Sequence, residues 1–278
     1  MTVDHGMVWL AFGNLVVQFD PTTGTPKHWV IPDLTDVIVP IDPGEDGKAV
    51  AVTVSGGQVY VGVNSAKVVE VLDPTTGRWT SMSSKPVVPV GDSGLVVTSR
   101  GVVLMSGVLA GTSTPGLVAI RNGIPVASTV SAVALAARPD GKAAYRDASG
   151  NVGILDSAGT PTTVAAKAAP AGAVTDALAA SVGADWTWTK ASGHEEFKRV
   201  ADDGTVSAYQ FVFHQSPCNG TCEAYGLPGA PKPTFTPTAL VEDPWIQGGI
   251  VDSNGNLWVA LQDNIAPYYS AVMELNPT

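Results

Sequence analysis

The chain has 278 residues, 45% hydrophobic and only 14% charged, with 25 acidic against 15 basic side chains and a net charge of −10. That balance excludes a disordered chain, which needs low hydrophobicity and high charge. It also excludes nucleic acid as an expected partner, since no Lys/Arg cluster is present to bind phosphates; and with no run of 18 or more apolar residues, no membrane span is expected.

The opening stretch, "MTVDHGMVWLAF", has neither the basic n-region nor the apolar h-region of a signal peptide, which leaves two readings: a native start at Met1, or a removed leader replaced by an initiator Met. It leads into "GMVWLAFGNLVVQFDPTTGTPKHWVI" at 6–31, which returns in altered form as "GQVYVGVNSAKVVEVLDPTTGRWTSM" at 57–82. Each segment has an alternating apolar strand, a short polar link and a second strand ending in Asp-Pro-Thr-Thr-Gly. A third strand follows, with a Trp near its start. Pro presets φ and Gly accepts a positive φ, so the shared pentapeptide predicts a hairpin turn between antiparallel strands.

Weaker copies follow at 101–128, 140–164, 183–211 and 254–278. Only "AGAVTDALAA" at 171–180 reads as a short helix, and it falls where an inner strand is due. Aligned on Trp9, Tyr60, Val103, Ala144, Trp186 and Trp258, the copies are separated by steps of 51, 43, 41, 42 and 72 residues. Propeller blades are four-stranded and about 40–45 residues long in WD40 proteins. The expected fold is therefore an all-β, six-bladed antiparallel β-propeller forming a single domain over 1–278. The long step is read as one blade plus an insertion at 212–245, with a seventh blade as the competing reading; a sandwich or barrel is the alternative architecture. The final copy has room for three strands rather than four.

The wording of the copies resembles the Vgb-type propellers, the streptogramin B lyases and their relatives, in which a "DGNLW" strand precedes a "DPTTG"-type turn. The resemblance rests on "SNGNLWVAL" (253–261), "MVWLAF" (7–12) and the two "DPTTG" turns. It implies the propeller fold and, for the lyases themselves, a histidine and glutamates lining a channel with Mg²⁺.

The chain's own histidines are His5, His28, His194 and His214. His5 and His28 are not placed to meet a carboxylate in a channel. In "SGHEEF", His194 and Glu196 share one side of a strand, a base with an orienting carboxylate; the plainer reading is a solvated hairpin link. His214 lies at the start of the insertion. Trp186 and Trp188 share a strand face and read either as inter-blade core or as a stacking surface. Cys218 and Cys222, in "SPCNGTC", are read as a disulfide, with free thiols or a metal or redox role as alternatives. The zinc reading lacks two further ligands at recognisable spacing. No catalytic motif is present, and neither a metal nor another cofactor is expected.

These features predict a non-catalytic interaction or structural module. A surface poor in charge, without a leader, suits a virion or otherwise extracellular protein, in particular a bacteriophage tail or host-contact component. Its expected partners are other subunits of an assembly, or a cell-surface ligand. The expected contact is the edge of the end strand, through Tyr268, Tyr269, Val272 and Met273, unless residues 1–5 fold back to cap it. The alternatives are a lyase-like or lactonase-like enzyme with a channel metal, and an exported carbohydrate-binding propeller.

Overall fold

The structure, a computed structural model, describes residues 2–32, 34, 49–64, 68–90, 94–167, 174–180, 184–191, 194–212, 225–226, 244–251, 255–263 and 270–275. Among these residues there is no helix; the strands form six antiparallel sheets in chain order. Sheet one is β1 (Thr2–Asp4), β2 (Met7–Phe12), β3 (Leu15–Phe19) and β4 (Pro26–Val30). Sheet two is β5 (Ala49–Ser55), β6 (Gln58–Val63), β7 (Val68–Asp73) and β8 (Arg78–Ser83). In sheet three, β10 (Leu95–Val97), β11 (Val103–Leu109), β12 (Pro115–Arg121) and β13 (Ile124–Ala127) lie in order, and β9 (Val87–Val88) pairs with β11.

Sheet four is β14 (Ala134–Ala137), β15 (Ala143–Arg146), β16 (Asn151–Leu155) and β17 (Pro161–Lys167). Sheet five is β18 (Val174–Ala180), β19 (Ala184–Ala191), β20 (His194–Ala201), β21 (Val206–Val212) and β22 (Tyr225–Gly226). Sheet six is β23 (Pro244–Val251), β24 (Leu257–Asp263) and β25 (Ser270–Leu275). The six residues used to align the sequence copies fall in β2, β6, β11, β15, β19 and β24, the second strand of every sheet. "AGAVTDALAA" contributes β18, a strand rather than a helix.

The turns follow their residues. His5-Gly6, Gly56-Gly57 and Asn122-Gly123 each join two strands, with φ of 48° and 79°, 59° and 75°, and 51° and 75°. Two successive positive φ values are the type I′ geometry whose twist matches a hairpin. The Asp-Pro-Thr-Thr-Gly turns are near copies of each other. Asp20 Oδ1 accepts from Thr22 N at 2.8 Å and Asp20 Oδ2 from Thr23 Oγ1 at 2.9 Å. In the second turn, Asp73 Oδ1 accepts from Thr75 N at 2.9 Å and Asp73 Oδ2 from Thr76 Oγ1 at 2.8 Å. Gly24 N and Gly77 N each donate to the aspartate carbonyl at 2.8 Å.

The chain divides into two compact units. The first holds 1–137, 141–148 and 155–162, and the second holds 138–140, 149–154 and 163–278. In the first unit the core lies in layers between consecutive sheets. Trp9 and Val16 of sheet one pack with Val59, Val61 and Leu72 of sheet two. Val69 packs with Val103, Met105, Val118 and Ile120 of sheet three. Leu104, Leu117 and Ala119, which alternate with those residues along β11 and β12, pack instead with Ala143, Tyr145 and Leu155. Period-two alternation sends neighbouring residues into different layers, so β11 and β12 are apolar on both faces. In the second unit Trp186, Trp188 and Phe197 are fully buried, and the Trp188 and Phe197 ring centroids lie 6.3 Å apart. The tryptophan pair is core, not a stacking surface.

Of the segment 212–245, only Val212, Tyr225, Gly226, Pro244 and Trp245 are described. Tyr225 and Gly226 add β22 to sheet five, opposite Val212 and Phe211. Cys218, Cys222, His214, Tyr268 and Tyr269 lie outside the described residues.

Candidate functional site

His5 is exposed on a type I′ turn, and its Nδ1 donates to Asp4 Oδ2 at 2.8 Å, which raises its pKa. His28 is exposed on β4. His194 opens β20 opposite Ala191, with Glu195 and Glu196 in register with Lys190 and Thr189. Among the described residues no three His, Cys, Asp or Glu side chains converge as a metal donor set. The histidine and glutamates that the lyase-like resemblance implies are thus not brought together as a donor set among the described residues.

The described charges do converge around Arg138, in the second unit. Its side chain is fully buried, and Nη1 donates to both Asp185 carboxylate oxygens at 2.8 Å. Nη2 reaches both oxygens of Asp202 at 3.0 and 2.9 Å, and Nε lies 3.5 Å from Asp140. Burial works against the charge, but the carboxylates outweigh it and the arginine pKa is raised. Each of these partners is a carboxylate, and together they hold the 138–140 segment against β19 and the turn after β20. It is a structural clamp. Sequence reasoning missed it because the partners lie 47 and 64 residues away, and "ARPDG" reads locally as a turn.

The outer strands provide the contrast that marks a candidate interface. β4 carries Pro26 and Lys27, β8 carries Arg78, β13 carries Pro125, and β17 carries Pro161 and Lys167. Proline lacks the N–H a joining strand needs, and a charged side chain at an edge discourages pairing. β21 is followed by β22. β25, "SAVMEL", carries no Pro, Lys or Arg. One of its edges pairs with β24 from Leu257↔Leu275 to Gln262↔Ser270, and among the described residues no strand pairs with the other.

β1 does not close that edge. Thr2, Val3 and Asp4 pair with Trp9, Val8 and Met7 in sheet one, a local hairpin in place of the alternative in which residues 1–5 fold back to cap the end strand. Of the residues expected at the edge, Val272 and Met273 lie on β25 in register with Ala260 and Val259.

No family model matches the chain, and no curated protein matches it. Solved structures do. The WD40 repeats of RRP9 share 9% identity at a TM-score of 0.61, covering 100% of this chain and 78% of that one. U3-55K shares 10% at 0.61, covering 100% and 79%. Regucalcin from Agrobacterium tumefaciens strain C58, a calcium-binding protein, shares 13% at 0.54, covering 99% and 88%. The fold is a β-propeller. At these identities the likeness establishes the fold alone; the neighbours are WD40 and regucalcin propellers, and they do not single out the lyase-like family.

Proposed function

We propose that this propeller is a non-catalytic protein-interaction module whose partner adds a strand to the open edge of β25. The observation that carries this reading is the contrast among outer strands: four bear prolines or cations, a fifth is followed by another strand, and β25 bears no proline or cation and, among the described residues, is followed by no further strand. Strand addition supplies affinity through main-chain hydrogen bonds along such an edge. The likeness to WD40 repeats supports an interaction role.

The test compares immobilised wild-type chain with Val272→Lys, after circular dichroism confirms equal folding. Proteins from the source cells that bind the wild type, are lost with Val272→Lys, and protect the 270–275 amides when re-added pure support the reading. Retention unchanged by Val272→Lys sinks it.

The finer reading is a subunit of an extracellular assembly, such as a bacteriophage tail or host-contact component. It is supported by a composition with only 14% charged residues. Mass spectrometry of purified particles from the source tests it, and absence of the chain from them rejects it. The second reading, an enzyme with a channel metal, is favoured by the structural likeness to a calcium-binding protein. A stoichiometric calorimetric signal with Ca²⁺ or Mg²⁺ would support it over the module.

A further inference from the structure

We infer that the strand added to β25 is a basic extended segment of a different protein, with a Lys or Arg opposite Glu274. The inference rests on the proposed strand-addition reading and names the partner's chemistry. Glu274 is the one charged residue of β25, whereas the guarded outer strands carry Lys27, Arg78 and Lys167. The edge that no strand pairs among the described residues is therefore the acidic one. Glu274 is the register partner of Trp258, which is 36% exposed on the adjacent strand β24. A cation on a joining strand opposite Glu274 would place opposite charges across a strand pair, which stabilise it while like charges oppose it.

The whole chain acts in the same direction. At a net charge of −10 it attracts a basic partner and repels a second copy of itself. The remaining residues of β25, Ser270, Ala271, Val272, Met273 and Leu275, suit a partner that alternates β-branched and small polar residues around its cation.

The experiment uses the full chain and two octapeptides that alternate valine with threonine and a charged residue, one carrying lysines and the other glutamates. Binding is read by titration, and its location by hydrogen exchange of the 270–275 amides. The lysine peptide is expected to bind about two- to tenfold more tightly, to protect those amides, and to lose or invert its preference with Glu274→Lys. Equal binding of both peptides at β25 overturns the basic-segment inference and leaves strand addition standing. Failure of both peptides to protect 270–275 overturns the inference and counts against the strand-addition reading as well. A peptide-free dimer in sedimentation that protects 270–275 shows a second copy in the place assigned here to a basic partner, and also overturns the inference.

Discussion

Asp20 and Asp73 do the same work 53 residues apart, each tying two threonines and a glycine into one turn. Backbone and hydroxyl donation from Thr22 and Thr23 lowers the Asp20 pKa, and donation from Thr76 and Thr75 lowers that of Asp73. The unfolded chain lacks these donors. Above the ordinary aspartate value of about 3.9 both states are ionised and the stabilisation is fully present; as pH falls through the lowered native values it is lost. Melting temperature is therefore expected to fall below about pH 4, and less steeply in the Asp20→Asn/Asp73→Asn variant, as scanning calorimetry across that range would show. His5 has the opposite sign: its raised pKa favours the fold below about 6.5, and the contribution disappears as pH rises through the native value. Arg138 belongs to a different regime. Arg138→Met leaves the Asp185 carboxylate, 3% exposed, without its cation, and is expected to cost about 3–5 kcal/mol in denaturant unfolding. Asp202 is 41% exposed, so Asp202→Asn is expected to cost about 1 kcal/mol or less and to depend on salt. Equal costs for Asp185→Asn and Asp202→Asn would contradict the clamp as described.

At the scale of strands, sheet six approaches Trp188 because β23 carries a glycine there. A Cβ at Gly249 would lie 2.9 Å from the Trp188 ring and 3.1 Å from the Trp258 carbonyl oxygen. Gly249→Ala is expected to destabilise by about 1–3 kcal/mol through overpacking, and Trp188→Phe is expected to recover part of the loss in the double variant. Additive costs in urea titrations would show that the two residues are not in contact. Much of this level was legible beforehand. The second strands announced themselves through alternation around Trp9, Tyr60, Val103, Ala144, Trp186 and Trp258, and Asp-Pro-Thr-Thr-Gly announced its hairpins. The first strands were harder to read. β10 has three residues, and the alanines around β18 favour a helix on intrinsic propensity until pairing with β19 overrides it. β1 was invisible as a partner for β2 because its turn depends on His5 adopting φ of 48°, which a non-glycine residue reaches only when the hairpin repays it. The clamp was hidden for another reason: nothing in "ARPDG" points to carboxylates in β19 and after β20. Of the candidate site, the composition of "SAVMEL" was visible from the start, but the guards on the other outer strands had meaning only once those strands were located.

Across the whole molecule, the layered core of the first unit has a consequence for the chain before it is folded. A strand apolar on one face alternates with polar residues, and that alternation tempers its stickiness. β11 and β12 feed two layers at once and have no such relief: "VVLMSGV" at 102–108 and "GLVAI" at 116–120 carry no charge. Short uncharged segments of high β-propensity are the seeds of cross-β stacking when exposed. The native molecule keeps them hydrogen-bonded within sheet three, whereas the heated chain releases both together. Heat denaturation is thus expected to end in insoluble aggregate at micromolar concentration, with a melting temperature that rises with scan rate. A charge introduced in the 110–114 link, such as Ser113→Lys, lies between these segments and is expected to slow precipitation without altering the calorimetric enthalpy. The architecture that lets one strand serve two cores is thereby expected to make aggregation of the unfolded chain, rather than equilibrium stability, govern the yield of soluble protein.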